Sequence, residues 1–550
     1  MDLRIFLAVV TVLLGTASLV VFWRRAGVIW RAINQGRPTN RFESAGERLS
    51  FVLGQVLGHR RLLQKPFSGI LHFCIFSGFL VLLLDVLETL GQVVSPSFNL
   101  GPILDTVVDV FVVLVIVGLL LALFNRLVLK PKRFHGSNET DAFIILGMIA
   151  LIMVGIIIRD AYYPLAAREV LGVAHPATQG HFLGYILAGL LAVPGWSSPT
   201  AAAVGYAVGY LLDIGVIMVF FAYLPYSKHF HVFTAVPNIY LHKTRPLGEL
   251  LPEPPAESMA VKSYSDFTWK DLLDLYTCTE CGRCQEACPA NASGAPLSPK
   301  HVILELRDGL TGKLLETGTG GEDGESRPLA GGVVEAEALW SCTTCGACQE
   351  VCPVFIEHGP KIISLRAGLL EEGEAGDAGA QKALVSLDRQ GNSFGQPSRR
   401  RAQWVKGLDF PVPDARKEAV DVLWFVGDYA AYDPRAQENT RLLARILHRA
   451  GVRFGILYEG EVNSGNDCLR MGEYGLFESL AEKNLKALET VEFTRIITAD
   501  PHSLNALRNE YRKLGFERPV FHYTEFLLEL VESGRLQLHP LGITATYHDP

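Results

Sequence analysis

The chain of 550 residues has no long apolar run after residue 226, although nearly half of its residues are hydrophobic and mean hydropathy is positive. It also lacks an excess of one charge. Its 50 Lys and Arg stand against 57 Asp and Glu, and a net charge of −7 gives nucleic acid no basic surface. Outside residues 278–352 it has only two of its ten cysteines. Secreted disulfide scaffolds are short chains with cysteines spread through them, so eight cysteines in two tight groups argue for metal in a reducing compartment. The glycine-rich stretch 318–326 lacks the Gly-Lys-Ser/Thr of a phosphate-binding loop and reads as a surface loop. The length leaves room for three or four domains.

What the chain does have before residue 226 is membrane-length apolar sequence. Crossing a hydrocarbon core of about 30 Å takes about 20 residues. Runs at 3–23, 67–94, 104–128, 141–160 and 204–226 meet that requirement. A sixth, at 181–195, is shorter and broken by Gly184, Gly189 and Pro194, and reads as an interfacial or re-entrant helix. The first run reads as a span rather than a signal peptide, because its apolar core is long and its basic pair, Arg24 and Arg25, follows that core.

Basic residues are missing from 95–103, and 161–203 carries only Arg168. The segment 24–65 carries Arg24, Arg25, Arg31, Arg37, Arg41, Arg48, Arg60, Arg61 and Lys65, and 129–140 carries Lys130, Lys132 and Arg133. The positive-inside bias puts both basic loops in the cytoplasm. The N-terminus is then outside and everything after residue 226 inside, in a multi-pass protein of a prokaryotic inner (plasma) membrane.

The sharpest signal is Cys278-x2-Cys281-x2-Cys284-x3-Cys288-Pro289, repeated as Cys342-x2-Cys345-x2-Cys348-x3-Cys352-Pro353. This is the bacterial ferredoxin spacing, in which three close thiolates wrap a [4Fe–4S] cubane and the fourth, before proline, reaches the other cluster. Cluster one is therefore assigned Cys278, Cys281, Cys284 and Cys352, and cluster two Cys342, Cys345, Cys348 and Cys288. Zinc favours two separated CxxC pairs and suits two complete four-cysteine runs poorly.

In the apolar half, His72 lies near the cytoplasmic end of the second span, and His229 and His231 lie just past the fifth. A histidine at that depth is costly without a partner or ligand, and a haem b needs two facing imidazoles. The residues propose one haem on His72 and His231, with His229 as the alternative to His231. Residues 1–245 resemble the membrane cytochrome b subunit of respiratory nitrate reductase. In that family a second, outer histidine pair would stand where this chain has Leu82 and Asp213, so the resemblance implies one haem, on the cytoplasmic side.

After a polar, mixed stretch at about 371–418 that reads as a linker or a set of short helices, apolar runs at 422–426, 454–457 and 496–498 read as buried strands. Segments 440–450, 471–485 and 504–511 read as helices between them, an α/β layer. The order of parts, with the run Leu224-Pro225-Tyr226-Ser227-Lys228-His229-Phe230-His231, resembles the membrane-bound relatives of heterodisulfide reductase, especially fused iron–sulphur oxidoreductases proposed to link electron-transfer flavoprotein to menaquinone.

That family carries cysteine-rich repeats for a non-cubane cluster. Here the first copy reads Gly427-Asp428, Asn463-Ser464-Gly465 and Asp500-Pro501-His502-Ser503, with every expected cysteine replaced. Cys468 is left as a buried, inert thiol. The family would continue beyond His548-Asp549-Pro550 into a second copy, so the resemblance implies either a truncated chain or a third redox site on another polypeptide.

The expected organisation is multidomain. A five-span all-α transmembrane bundle occupies 1–245, an α-helical two-[4Fe–4S] ferredoxin domain 262–370, a linker 371–418, and an α/β domain of cysteine-rich type 419–550. The resemblance implies a respiratory-chain oxidoreductase that relays electrons from a cytoplasmic donor, plausibly electron-transfer flavoprotein, through two [4Fe–4S] clusters and one haem b to a membrane quinone. The alternatives are a heterodisulfide or sulphur-compound reductase subunit and a non-catalytic electron-relay anchor.

Overall fold

The apolar runs form helices, as continuous stretches of Leu, Val, Ile, Phe and Ala must when no water is present to satisfy their backbone. The computed structural model describes residues 3–95, 98–169, 180–190, 198–251, 259–317 and 327–546. The glycine-rich stretch 318–326, positions 191–195 of the sixth run and the end at 548–550 lie outside the described residues.

Among the described residues, five helices are long and apolar enough to cross a membrane: Leu3–Asn34, Pro66–Val94, Pro102–Leu129, Glu139–Ala166 and Pro199–Tyr226. The first runs past its apolar core through Arg24 and Arg25. Their outer faces expose large apolar side chains, with Val12, Leu13 and Leu120 each more than half exposed. A soluble helix would bury them, whereas a lipid-facing one need not. The sixth run is a nine-residue helix, Phe182–Leu190, too short to span.

The chain divides into two compact units. The first comprises 1–242, 264–326 and 347–358, so the first cysteine motif belongs with the spans. The fourth and fifth spans approach closely because Gly155 and Gly209 face them. A Cβ at Gly209 would collide with the Arg159 backbone, and one at Gly155 with the backbone of Leu212 and Asp213. Arg159 is 3 % exposed at this seam. It makes a forked pair with Asp85 at 2.8 and 3.2 Å, reaches Asp160 at 2.9 Å, and also holds Asp213 and Thr89. Position 213, where the resemblance would place an outer haem ligand, is thus a fully buried carboxylate committed to Arg159. Leu82 packs with Val108, Val112 and Ile152 in the apolar core.

The second unit comprises 243–263, 327–346 and 359–550. Its sheet is wholly parallel, in the order β2 (Phe454–Gly455), β1 (Val422–Phe425), β3 (Arg495–Thr498), β4 (Val520–His522). Side chains alternate across it: Leu423, Phe425 and Ile496 join one core, and Val422, Trp424 and Ile497 the other. Burial on both faces explains the near-continuous apolar runs. Helices Pro434–Arg449, Tyr474–Glu489 and Tyr523–Glu532 connect or follow the strands. β4 has no counterpart in the sequence reading, because three residues beside Pro519 are too short to show a period. The polar stretch 371–418 is ordered. It carries helix Ala378–Gln390, capped by Asp377 and ended by Gly391 at φ +65°, and it sends Trp404 against Trp424.

Replacing Arg159 by Ala leaves three carboxylates unpaired among apolar spans. It should cost about 3–5 kcal/mol, read as a lower unfolding midpoint of the detergent-solubilised protein with its iron content measured in parallel.

Candidate metal centres

The first motif is a tight loop because its residues accept unusual backbone angles. Glu280 and Gly282 both have positive φ, +56° and +70°. At Gly282 a side chain is excluded twice over, since any Cβ would strike the Arg133 carbonyl. Cys288 is held extended before Pro289, which starts a new helical turn, so the fourth cysteine leaves the loop.

In the first unit Cys278, Cys281, Cys284 and Cys352 are mutual electrostatic neighbours. Burial pushes the Cys278 and Cys352 thiols up to about 12, and neighbouring sulphurs add to the shift at each. Burial and the same neighbours raise the Cys284 thiol well above its ordinary value. Four crowded sulphurs, three of them buried and that of Cys281 half-buried, become thiolates most readily against bound cations, so this donor set fits an iron cluster. The Ile356 N–H points at the Cys352 sulphur at 3.4 Å, a contact that tunes cluster potential. Cys352 therefore lies beside the first three cysteines of the motif. Cys288 is buried in the same unit.

In the second unit Cys342 accepts the Thr344 N–H at 3.3 Å, Arg366 holds the Cys342 carbonyl, Arg470 holds Thr344 at 3.0 Å, and Cys345 is exposed.

Three loops of the apolar half hold the first motif. Arg283 donates to the carbonyls of Arg61 and Leu62, both at 2.9 Å. Glu280 accepts the Asn138 N–H at 2.8 Å and pairs with Arg307 and Lys228. Lys300, fully buried, donates to the carbonyls of Arg133 and His135. Arg61 itself donates to the carbonyls of Gln349 and Cys352 and lies 3.8 Å over the Phe355 ring.

Two residues along, His59 meets His72, with Nε2 and Nδ1 3.0 Å apart. A backbone carbonyl can only accept, so His59 Nδ1, facing the Leu57 carbonyl, carries a proton. In the neutral ring Nε2 then accepts from His72 Nδ1, which leaves the His72 Nε2 lone pair free. His231 Nδ1 faces the Lys228 carbonyl at 3.0 Å, which likewise frees Nε2. His229 lies beside His231, with ring centroids 5.0 Å apart. Burial lowers the basicity of both, and His231 and His72 lower that of His229 further. Neutral imidazoles with a fixed tautomer are the form a haem iron binds, so the residues fit that group. The sequence reading missed His59 and Arg61. Their segment, Gly58-His59-Arg60-Arg61, counted there only as basic loop, although a histidine thirteen residues before His72 was the visible signal.

In the second unit the cysteine-depleted positions form a polar network. Asp428 accepts from Arg401 at 2.7 Å, Asn463 at 2.8 Å and Ser393. Arg401 also pairs with Glu461, Asp500 accepts from Ser503, and His502 meets Asp467 at 2.8 Å. Cys468 is fully buried in an apolar core, and burial pushes its thiol up.

Family models match a 4Fe-4S dicluster domain at residues 270–353 and a cysteine-rich domain at 422–508. Fold and sites define an iron–sulphur oxidoreductase, or an electron-transfer subunit of one, with five membrane-length helices. Similar proteins include the probable iron-sulfur-binding oxidoreductase FadF of Bacillus subtilis, 33% identical over 92% of this chain and 76% of that protein. The EtfAB:quinone oxidoreductase of Syntrophomonas wolfei is 31% identical over 89% and 73%, and a probable membrane-anchored ferredoxin of Chromohalobacter salexigens is 38% identical over 53% and 46%. The chain belongs to the family of iron–sulphur-binding oxidoreductases that includes FadF. No solved structure matches.

Changing Gly282 to Ala should drive the first loop off Arg133 and lower iron from about eight atoms per chain to about four, with the second cubane's EPR signal surviving without its spin-coupled partner.

Proposed function

We propose that this protein takes single electrons from a cytoplasmic flavoprotein of the electron-transfer flavoprotein type and delivers them to a membrane quinone. Two cubanes and one haem b, when bound, would supply the one-electron carriers. Cluster one is assigned to Cys278, Cys281, Cys284 and Cys352, cluster two to Cys342, Cys345, Cys348 and Cys288, and the haem to His72 and His231.

The observation that carries the reading is the loop at residues 59–62. Within four residues it bonds the backbone of cluster ligand Cys352 through Arg61 and the ring of His72 through His59. A short covalent and hydrogen-bonded bridge thus links the two candidate centres. His231 is preferred to His229 because the Lys228 carbonyl aims its Nε2. The exposed Cys345 offers a surface where a soluble donor can approach the second cubane. The positive-inside bias of the basic loops supports a cytoplasmic face for these groups and an outside N-terminus. The name of the Syntrophomonas relative pairs the same two partners, flavoprotein and quinone. Heterodisulfide chemistry is disfavoured, since Asp428, Asn463 and Asp500 stand where the non-cubane cluster needs thiolates and are already hydrogen-bonded.

The purified protein should show two interacting [4Fe–4S]⁺ EPR signals on dithionite reduction and about one haem b by pyridine haemochrome. Changing His72 to Ala should abolish the haem and quinone reduction while leaving about eight irons. Changing Arg61 to Ala should keep both cofactors and slow haem reduction by the flavoprotein. Wild-type protein with full iron and no haem would overturn the haem assignment and the route through it.

A further inference from the structure

Away from the histidine cluster, the second to fourth spans hold a second ionisable group. Asp105 and Asp109 lie one helical turn apart at the start of the third span, Asp160 near the end of the fourth, and His181 just ahead of helix Phe182–Leu190. Two glycines bring these elements together. Gly180 abuts Asp105, and Gly184 packs on the Asp160 backbone, so a Cβ at either would collide. Thr106 donates to the Gly180 carbonyl at 3.1 Å, and Asp109 Oδ2 accepts the Leu183 N–H at 2.7 Å. The segment carrying His181 is thus fixed against both spans.

We propose that Asp109, Asp160 and His181 bind a divalent first-row metal ion of the zinc or manganese type. One ligand atom from each lies within 4.8 Å of the other two. His181 Nδ1 is 3.5 Å from Asp109 Oδ1 and 3.3 Å from Asp160 Oδ2, spacings that suit neighbouring ligands on one small ion. Asp109 and Asp160 each commit their other oxygen elsewhere, to Leu183 and to Arg159, which orients the free oxygen.

A second, independent observation points to a ligand. Asp160 is 8 % exposed, and its Oδ2 is buried without a hydrogen-bond partner. Asp105 is 2 % exposed, and its Oδ1 lies 3.6 Å from His181 Nε2. That is the outer carboxylate of a carboxylate–histidine–metal arrangement, which holds the ring with Nδ1 turned to the ion.

Charge gives the same answer. Asp85, Glu88, Asp105, Asp109, Asp160 and Asp213 crowd around Arg159 and His181. A bound divalent cation would offset this surplus of buried carboxylates. Two carboxylates and one imidazole suit zinc or manganese better than soft, thiolate-preferring ions.

The test uses full-length, cluster-loaded protein in detergent, equilibrated with radiolabelled Zn²⁺ and then desalted into a weak chelator. About one tightly held zinc per chain is expected, lost in Asp109→Asn and in His181→Gln with iron and haem content unchanged. Asp105→Asn should keep the ion but weaken it about 10- to 100-fold. Wild-type protein that retains neither zinc nor manganese overturns the proposal, as does retention undiminished in both ligand variants. If a ligand variant fails to assemble, wild-type binding and the Asp105→Asn shift decide. Failure here leaves the haem and cluster readings untouched, since their ligands are elsewhere.

Discussion

Two hydrogen bonds from one guanidinium fasten the first cysteine loop to the apolar half. Arg283 sits directly before Cys284 and donates to the carbonyls of Arg61 and Leu62. Bonds from a charged donor contribute about 1.5–3 kcal/mol each, and here they fix a loop whose side chains do the rest. With its backbone pinned, Arg61 reaches Cys352 and Phe355, and His59 meets His72. The loop also has no room to drift, because Arg133 presses on Gly282 from the other side. Cluster ligands, basic loop and span histidine are one mechanical object. An electron-transfer path needs that property, because rates fall steeply with distance between carriers.

The second unit shows what remains when a cluster site loses its thiolates. The cysteine-rich model matches residues 422–508. The vacated positions did not become apolar. Asp428, Asn463 and Asp500 keep polar side chains at the carboxyl ends of β1 and β3, and Arg401 from the preceding stretch neutralises Asp428 and Glu461. A buried arginine between two carboxylates is worth little as net stability but fixes one arrangement.

How much of this was legible follows from how local each signal is. The cubane motifs are short-range patterns, so the eight cysteines stood out as candidate ligands and the dicluster domain was legible directly. The spans are likewise a property of composition over twenty residues. Three strands showed as apolar runs because a parallel sheet is buried on both faces, and β4 did not because three residues carry no period. The haem candidates His72 and His231 stood out by depth. His59 did not, because its partner lies across a turn and a short helix rather than at a helical spacing. Arg159 and His181 were unreadable for the same reason. Their meaning depends on Asp85, Asp105, Asp109, Asp160 and Asp213, which converge from four helices. Trp404 was hidden in a stretch whose polar composition resembled a linker.

The apolar bundle therefore has two polar layers, and their chemistry differs in sign. His72 and Asp85 lie on the same helix about 20 Å apart along its axis. Around His72 the groups are neutral imidazoles with aromatic neighbours, Phe73 and Phe76 beside His59 and Phe220 beside His229. That layer suits a flat, largely apolar macrocycle whose iron wants two nitrogen ligands. Around Asp85 the groups are carboxylates with one arginine and one histidine, and the seam between the fourth and fifth spans is closed by glycines that leave no space there for a ring system. An imidazole placed at position 213 would not restore an outer haem site, because it would strip Arg159 of a partner while leaving the spans too close to admit one. The apolar half thus pairs an imidazole layer beside the iron–sulphur motif with a charged seam further along the spans.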